Sequence, residues 1–266
     1  MFQSSARTSR HIRRPVPWLL EPQAAVSPQA LTLVCVPHAG AGPGVYRPFA
    51  RHLAPHLSLR IVHLPGRESR IGEPALDNLP EVVRTALPQL VPELRGRFAL
   101  WGHSMGGFVA FEVARVLEAR FGLRAECVVV SGCQAPRSPE RAALPQRRAL
   151  DDDELWLSAI ELNGIPDEVA GNDALRKLLL PTLRADFAVF ETYEYRPGPA
   201  LGSPLHVFAG RDDTEAAAAD MAAWQLETRS EFTLTELSGG HFFHLDDPMG
   251  FSERLTAVLC PQHASR

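Results

Sequence analysis

Lysine is almost missing: Lys177 is the only one among 266 residues, and the other 26 basic residues are arginine. That skew reads as the codon usage of a GC-rich genome rather than as selection for bidentate anion binding. A basic excess is missing too. The 27 Lys and Arg face 31 Asp and Glu, giving a net charge of −4 and a pI near 6.2, so the charge balance does not point to nucleic acid. No run reaches the 18 or so apolar residues of a membrane span, because Arg, Pro or His interrupts each candidate. Cysteine is scarce and unpaired in pattern. Cys35, Cys127, Cys133 and Cys260 form no C-x-x-C pair and have no His at zinc spacing, which argues against a metal knuckle, a redox motif or a disulfide framework. Buried free thiols and a reducing cytoplasm are expected. No apolar stretch follows Arg7, Arg10, Arg13 and Arg14, which speaks against a secretory signal.

What is present is the composition of a globular chain, 45% hydrophobic and 22% charged. At this length a single domain can build its own core. Residues 1 to 28, broken by Pro15, Pro17, Pro22 and Pro28, read as a poorly ordered arm, and the rest (29–266) as one domain. Short apolar runs at 31–36, 59–64, 98–101, 127–131, 205–209 and 232–237 read as buried parallel strands. Helical periodicity covers 46–57, 79–94, 106–121, 215–228 and 251–259, with Pro88 and Pro92 kinking or splitting the second. The alternation predicts an α/β fold with a mostly parallel sheet flanked by helices. Between about 134 and 204 it lapses, and helices at 151–162 and 173–195 predict an inserted helical lid over the strand ends.

The chemistry-bearing segment is Gly102-His103-Ser104-Met105-Gly106, a G-x-S-x-G between a strand and a helix. A sharp turn there exposes the Ser104 hydroxyl at the carboxyl end of the sheet, with helix N–H groups behind it. A serine needs a base and a group that orients the base, in the chain order Ser, acid, His. Downstream, Gly210-Arg211-Asp212-Asp213 and Gly239-Gly240-His241 each follow a predicted strand. Asp213 is assigned as the acid, with Asp212 as its rival, and His241 as the base. Protonating an imidazole base abolishes its function, so activity is expected to fall below about pH 6. His103 reads as a packing residue and His244 as a surface or supporting one. The loop Pro37 to Gly44 is rich in glycine, but Val45 breaks G-x-G-x-x-G and no G-K-[ST] follows, so no nucleotide cofactor is expected. That loop instead suits an oxyanion hole, with backbone N–H groups from Ala39, or alternatively Gly40, and from Met105.

The segments VCVPHAGAGPGVYRPFA, HLPGRESRIGEP, FALWGHSMGG, LLLPTLRADFAVFETYEYRPGP, FAGRDD and SGGHFFHLDDP together resemble the type II thioesterases of modular polyketide and nonribosomal peptide synthases. The resemblance implies an α/β-hydrolase fold and hydrolysis of acyl thioesters from the phosphopantetheine of acyl or peptidyl carrier proteins. It puts the triad on Ser104, Asp213 and His241. Thr214 stands where family members often have proline, and the first 28 residues have no counterpart. Alternatives are a carboxylesterase or lipase, an acyltransferase, and a non-catalytic carrier-binding protein. Because carrier proteins present an acidic helix, a local contact is expected at Arg137, Arg141, Arg147 and Arg148. A monomer without metal is expected.

Overall fold

The computed structural model describes residues 16–23, 29–53 and 57–261. Seven strands form one sheet: β1 (Leu19–Leu20), β2 (Leu31–Val36), β3 (Leu57–Val62), β4 (Phe98–His103), β5 (Val128–Ser131), β6 (Leu205–Gly210) and β7 (Phe232–Leu237). Their spatial order is β1-β3-β2-β4-β5-β6-β7, with β2 to β7 parallel and β1 antiparallel on β3. The nine helices of the described residues are α1 (Pro43–Tyr46), α2 (Leu79–Leu90), α3 (Met105–Val116), α4 (Asp152–Glu161), α5 (Asp167–Ala170), α6 (Asp173–Glu191), α7 (Ala218–Met221), α8 (Phe243–Asp246) and α9 (Pro248–Leu259).

Alternate residues of the central strands feed two cores, as the two-residue period of a strand requires. Val34, Leu100, Val128, Val130 and Val207 face α2 and α3, whereas Leu33, Ile61, Trp101, Val129 and Phe208 face α9. Burial on both faces is why these strands read as continuous apolar runs. The insertion has its own small core of Leu155, Trp156, Ala159, Leu180, Leu183 and Phe187. Asp151 opens α4 with a capping box: its carboxylate accepts the Glu154 N–H while Glu154 reaches back to the Asp151 N–H.

The expectation of a poorly ordered arm fails for residues 16–23. Leu19 and Leu20 pair with Val62 and Ile61, the Trp18 carbonyl accepts the His63 N–H at 2.7 Å, and Arg70 stacks over the Trp18 ring at 4.4 Å. The edge of β3 thereby gains a partner for its backbone groups. Residues 1–15 and 24–28, the remainder of that expected arm, lie outside the described residues. The helix expected over 46–57 is shorter and earlier. Pro43 starts α1, and a 3₁₀ turn over Arg47–Arg51 follows.

Chain order reverses beside β2: β3 lies on one side of it, and the chain then crosses to β4 on the other. In open α/β sheets the crevice outside the carboxyl ends at such a reversal is where ligands bind. The loop after β2 and the turn after β4 meet there.

Candidate active site

Ser104 occupies the turn between β4 and α3 with φ 53° and ψ −122°, a region that residues other than glycine rarely adopt. The flanking glycines are dictated by backbone contact. A Cβ on Gly102 would strike the Gly106 carbonyl, and one on Gly106 would strike the Val36 carbonyl. The turn is tied down by the Ser104 N–H donating to the Ser131 carbonyl at 2.9 Å and the Gly107 N–H donating to the Ser104 carbonyl at 2.8 Å.

At the end of β6, Gly210 lets the two downstream loops touch, since a Cβ there would meet the carbonyls of Gly239 and Gly240. That approach brings Asp213 Oδ2 within 2.9 Å of His241 Nδ1. Asp213 Oδ1 accepts the N–H groups of Glu215 and Ala216 at 2.8 and 3.1 Å. Burial opposes ionisation of this carboxyl. The His241 hydrogen bond and charge and the two backbone N–H donors outweigh it, holding Asp213 below the usual carboxylate range. Asp212 is exposed, and its backbone N–H bonds the Gly239 carbonyl.

Among the described residues no acceptor takes the N–H of Ala39 or that of Met105. Met105 opens α3, whose first N–H groups have no intrahelical acceptor. The Gly40 N–H is occupied, donating to Asp186 Oδ2 at 2.7 Å. Ser104, His241 and Ala39 line a cavity of about 260 Å³ whose walls are mainly apolar, with Trp156, Leu179, Leu183 and Phe187 contributed by the insertion.

Three further histidines surround the pair. His38, His103 and His244 are all buried, and the rings of His103 and His244 lie 3.9 Å apart. His103 Nδ1 pairs with Ser131 Oγ at 2.9 Å, in keeping with a packing role. His244 belongs to the interior and not to the surface: it is wedged among Tyr46, Phe49, Trp101 and Phe251, and neither ring nitrogen has a hydrogen-bond partner. Among the described residues, no group of three or more His, Cys, Asp or Glu side chains is arranged to hold a metal ion.

The four arginines expected to greet a carrier protein do not make a common basic surface. Arg147 is 8% exposed and grips Glu215 through both terminal nitrogens at 2.8 and 2.9 Å. Arg141 lies over the Phe108 ring at 4.4 Å and donates to the carbonyls of Phe190 and Tyr193. Arg137 pairs with Glu227 at 2.6 Å, and Arg148 stands 3.6 Å from Glu191. Arg137, Arg147 and Arg148 thus each face a carboxylate of the fold, whereas Arg141 is held by carbonyls and aromatic rings. Sequence reasoning also gave no role to Arg67, Glu68 or Asp186. Two of them form a buried ion pair with two nitrogen–oxygen contacts of 2.8 Å, and Glu68 accepts the Gly44 N–H at 2.7 Å. Their only signal was membership of the HLPGRESR and LRADF segments.

A family model for the thioesterase domain matches residues 31–258. Thioesterase PikA5 of Streptomyces venezuelae is 38% identical over 216 residues, covering 80% of this chain and 75% of that one. The gramicidin S biosynthesis protein GrsT of Aneurinibacillus migulanus is 31% identical over 87% of this chain and 91% of its own. Among solved structures, BorB, a type II thioesterase from the borrelidin biosynthetic cluster, superposes with a TM-score of 0.83 at 34% identity, over 91% of this chain and 97% of that one. The chain thus belongs to the thioesterase family, among the type II thioesterases of polyketide and nonribosomal peptide biosynthesis, and is a serine hydrolase acting on thioesters with an α/β-hydrolase fold.

Proposed function

We propose that this enzyme removes acyl groups from the phosphopantetheine thiol of carrier proteins, with Ser104 as nucleophile, His241 as base and Asp213 as the orienting acid. The observation that carries the reading is the Asp213–His241 pair at 2.9 Å, whose imidazole opens onto the same cavity as Ser104. Ser104 Oγ attacks the thioester carbonyl carbon while its proton passes to His241 Nε2. The C–S bond then breaks and the leaving thiolate takes that proton. Water attacks the acyl-serine, giving its proton to His241, which returns one to Ser104 Oγ as the free acid leaves. Asp213 holds the Nδ1–H tautomer and stabilises the imidazolium. The negative oxygen of each tetrahedral intermediate is received by the Ala39 and Met105 N–H groups, since the Gly40 N–H is engaged.

The helical insertion over 134–204 serves as the lid, and its apolar side chains form the acyl site. A cavity of about 260 Å³ suits a small acyl group better than a long peptidyl one. Clearance of short, stalled acyl groups from carriers is the role that fits. The test is a panel of matched short and long acyl groups on a carrier protein, on coenzyme A and as oxygen esters, with Ser104→Ala as control. Higher kcat/KM on short carrier-bound thioesters is expected. Faster turnover of the matched oxygen esters would favour a general esterase, and transfer to an added acceptor in preference to water would favour an acyltransferase.

A further inference from the structure

We infer that Asp186 and Arg67 are positioning residues for the oxyanion loop, tying the backbone beside Ala39 to helix α6 of the insertion. This rests on the reading that the Ala39 N–H stabilises the oxyanion. Asp186 Oδ2 accepts the Gly40 N–H at 2.7 Å, one residue beyond Ala39, and also accepts from Arg67 Nη1 at 2.8 Å. Asp186 Oδ1 accepts from Arg67 Nη2 at 2.8 Å. Arg67 Nη1 also donates to the Ala41 carbonyl at 3.1 Å, and its Nε and Nη2 to the Pro65 carbonyl at 3.2 Å. All five guanidinium N–H donors are thereby engaged. Both side chains are nearly sealed from solvent, at 3% for Arg67 and 1% for Asp186.

A buried ion pair is an uncertain source of stability, because desolvation can cancel its attraction. What this pair fixes is a direction. The Gly40 N–H and the Ala41 carbonyl are both anchored, Gly40 holds φ 78° and Leu183 of α6 packs where its side chain would be, so the adjoining Ala39 peptide has little freedom. Glu68, by accepting the Gly44 N–H, closes the far end of the same loop. Misplacing a donor by about 1 Å can cost on the order of 100-fold in rate.

The experiment compares the parent, Asp186→Asn and the paired apolar replacement Arg67→Met with Asp186→Leu, using a small acyl-N-acetylcysteamine thioester. Readouts are kcat, KM, thermal midpoint, inhibition by the product acid, and affinity for a trifluoromethyl ketone analogue that forms an oxyanion on Ser104. The double variant removes both charges together, so it is expected to fold. Its kcat should fall about 100-fold, with the ketone weakened by the same factor and with KM and product inhibition within about threefold of the parent. Asp186→Asn can still accept the Gly40 N–H and should lose less, about tenfold in kcat and ketone affinity. A folded double variant with parental kcat and ketone affinity overturns the inference, as does a KM that worsens in step with kcat. Should the double variant fail to fold, Asp186→Asn decides alone, and unchanged kcat and ketone affinity overturn it. A parent without thioesterase activity would instead refute the proposed function.

Discussion

The Ser104 backbone conformation, φ 53°, is one that a side-chain-bearing residue holds at a cost on the order of 1–3 kcal/mol. Glycine takes that conformation without strain, so Ser104→Gly should be more stable than the parent by about 1 kcal/mol in urea unfolding, while losing turnover. Equal or lower stability would show that the turn stores no strain at Ser104. Asp213 makes a second statement at this scale. Its burial works against charge, yet the His241 contact and two backbone N–H donors keep it ionised below the ordinary carboxylate range. As pH falls through the acid limb of kcat/KM, Asp213 therefore stays charged and one proton alone should control the rate. A slope of one in log kcat/KM against pH is expected, and a slope of two would mean that Asp213 protonates together with the base. Asp213→Asn should keep the fold and reduce kcat by about 10⁴-fold, because the neutral amide favours the wrong imidazole tautomer.

The elements differ in how they use charge, and Arg147 illustrates the point. It ties the start of the insertion to Glu215, two residues beyond Asp213, and its Nε donates to Ser158 of α4 at 2.6 Å. Arg147→Ala should destabilise the protein by about 2 kcal/mol in urea unfolding, since Glu215 would lose a largely buried partner. Hydrolysis of carrier-bound and small thioesters should fall by the same factor. A loss confined to carrier-bound substrate would restore Arg147 as a docking residue. The sequence pattern placed β4, β5 and β6 well because they are buried along their whole length, whereas β7, half-buried and carrying Thr233, Thr235 and Glu236, was legible from its β-branched and aromatic content. It overextended the helix expected at 215–228: Asp213 captures the first two N–H groups, the chain bends through 214–216 and is extended at Ala217, and only α7 and a 3₁₀ turn follow. The serine turn, the acid loop and the histidine loop were legible because each follows a strand with glycine where backbones touch. Arg67 and Asp186 were not, because 119 positions separate them and nothing local to either announces its partner. The partners of Arg137, Arg147 and Arg148 were hidden for the same reason, since Glu227, Glu215 and Glu191 lie far along the chain.

Across the whole molecule, the histidines behind the site make the fold sensitive to mild acid. His38 is pushed down to about 3 by burial, with the neighbouring His241 and Arg67 adding to the effect. Burial likewise carries His103 and His244 well below the ordinary imidazole value, reinforced by the surrounding histidines. These rings stay neutral in the folded chain, whereas in the unfolded chain each takes a proton near pH 6.5. The unfolded state then binds more protons, so stability is fully present above about pH 6.5 and declines as pH falls from there toward about 3. Each proton that the fold excludes steepens this decline. Asp213 has the carboxylate form of the same linkage: its contribution is present above the unfolded value of 3.8 and is lost only below it, outside most of this window. Urea unfolding between pH 7 and 4.5 should therefore steepen below pH 6.5. His244→Leu is the discriminating variant, because His244 has no hydrogen bond to lose and leucine has a similar volume. It should flatten the slope by one proton's worth and leave the variant more stable than the parent at pH 5. An unchanged slope would mean that His244 is protonated inside the fold, or that the unfolded chain is not its competitor for the proton.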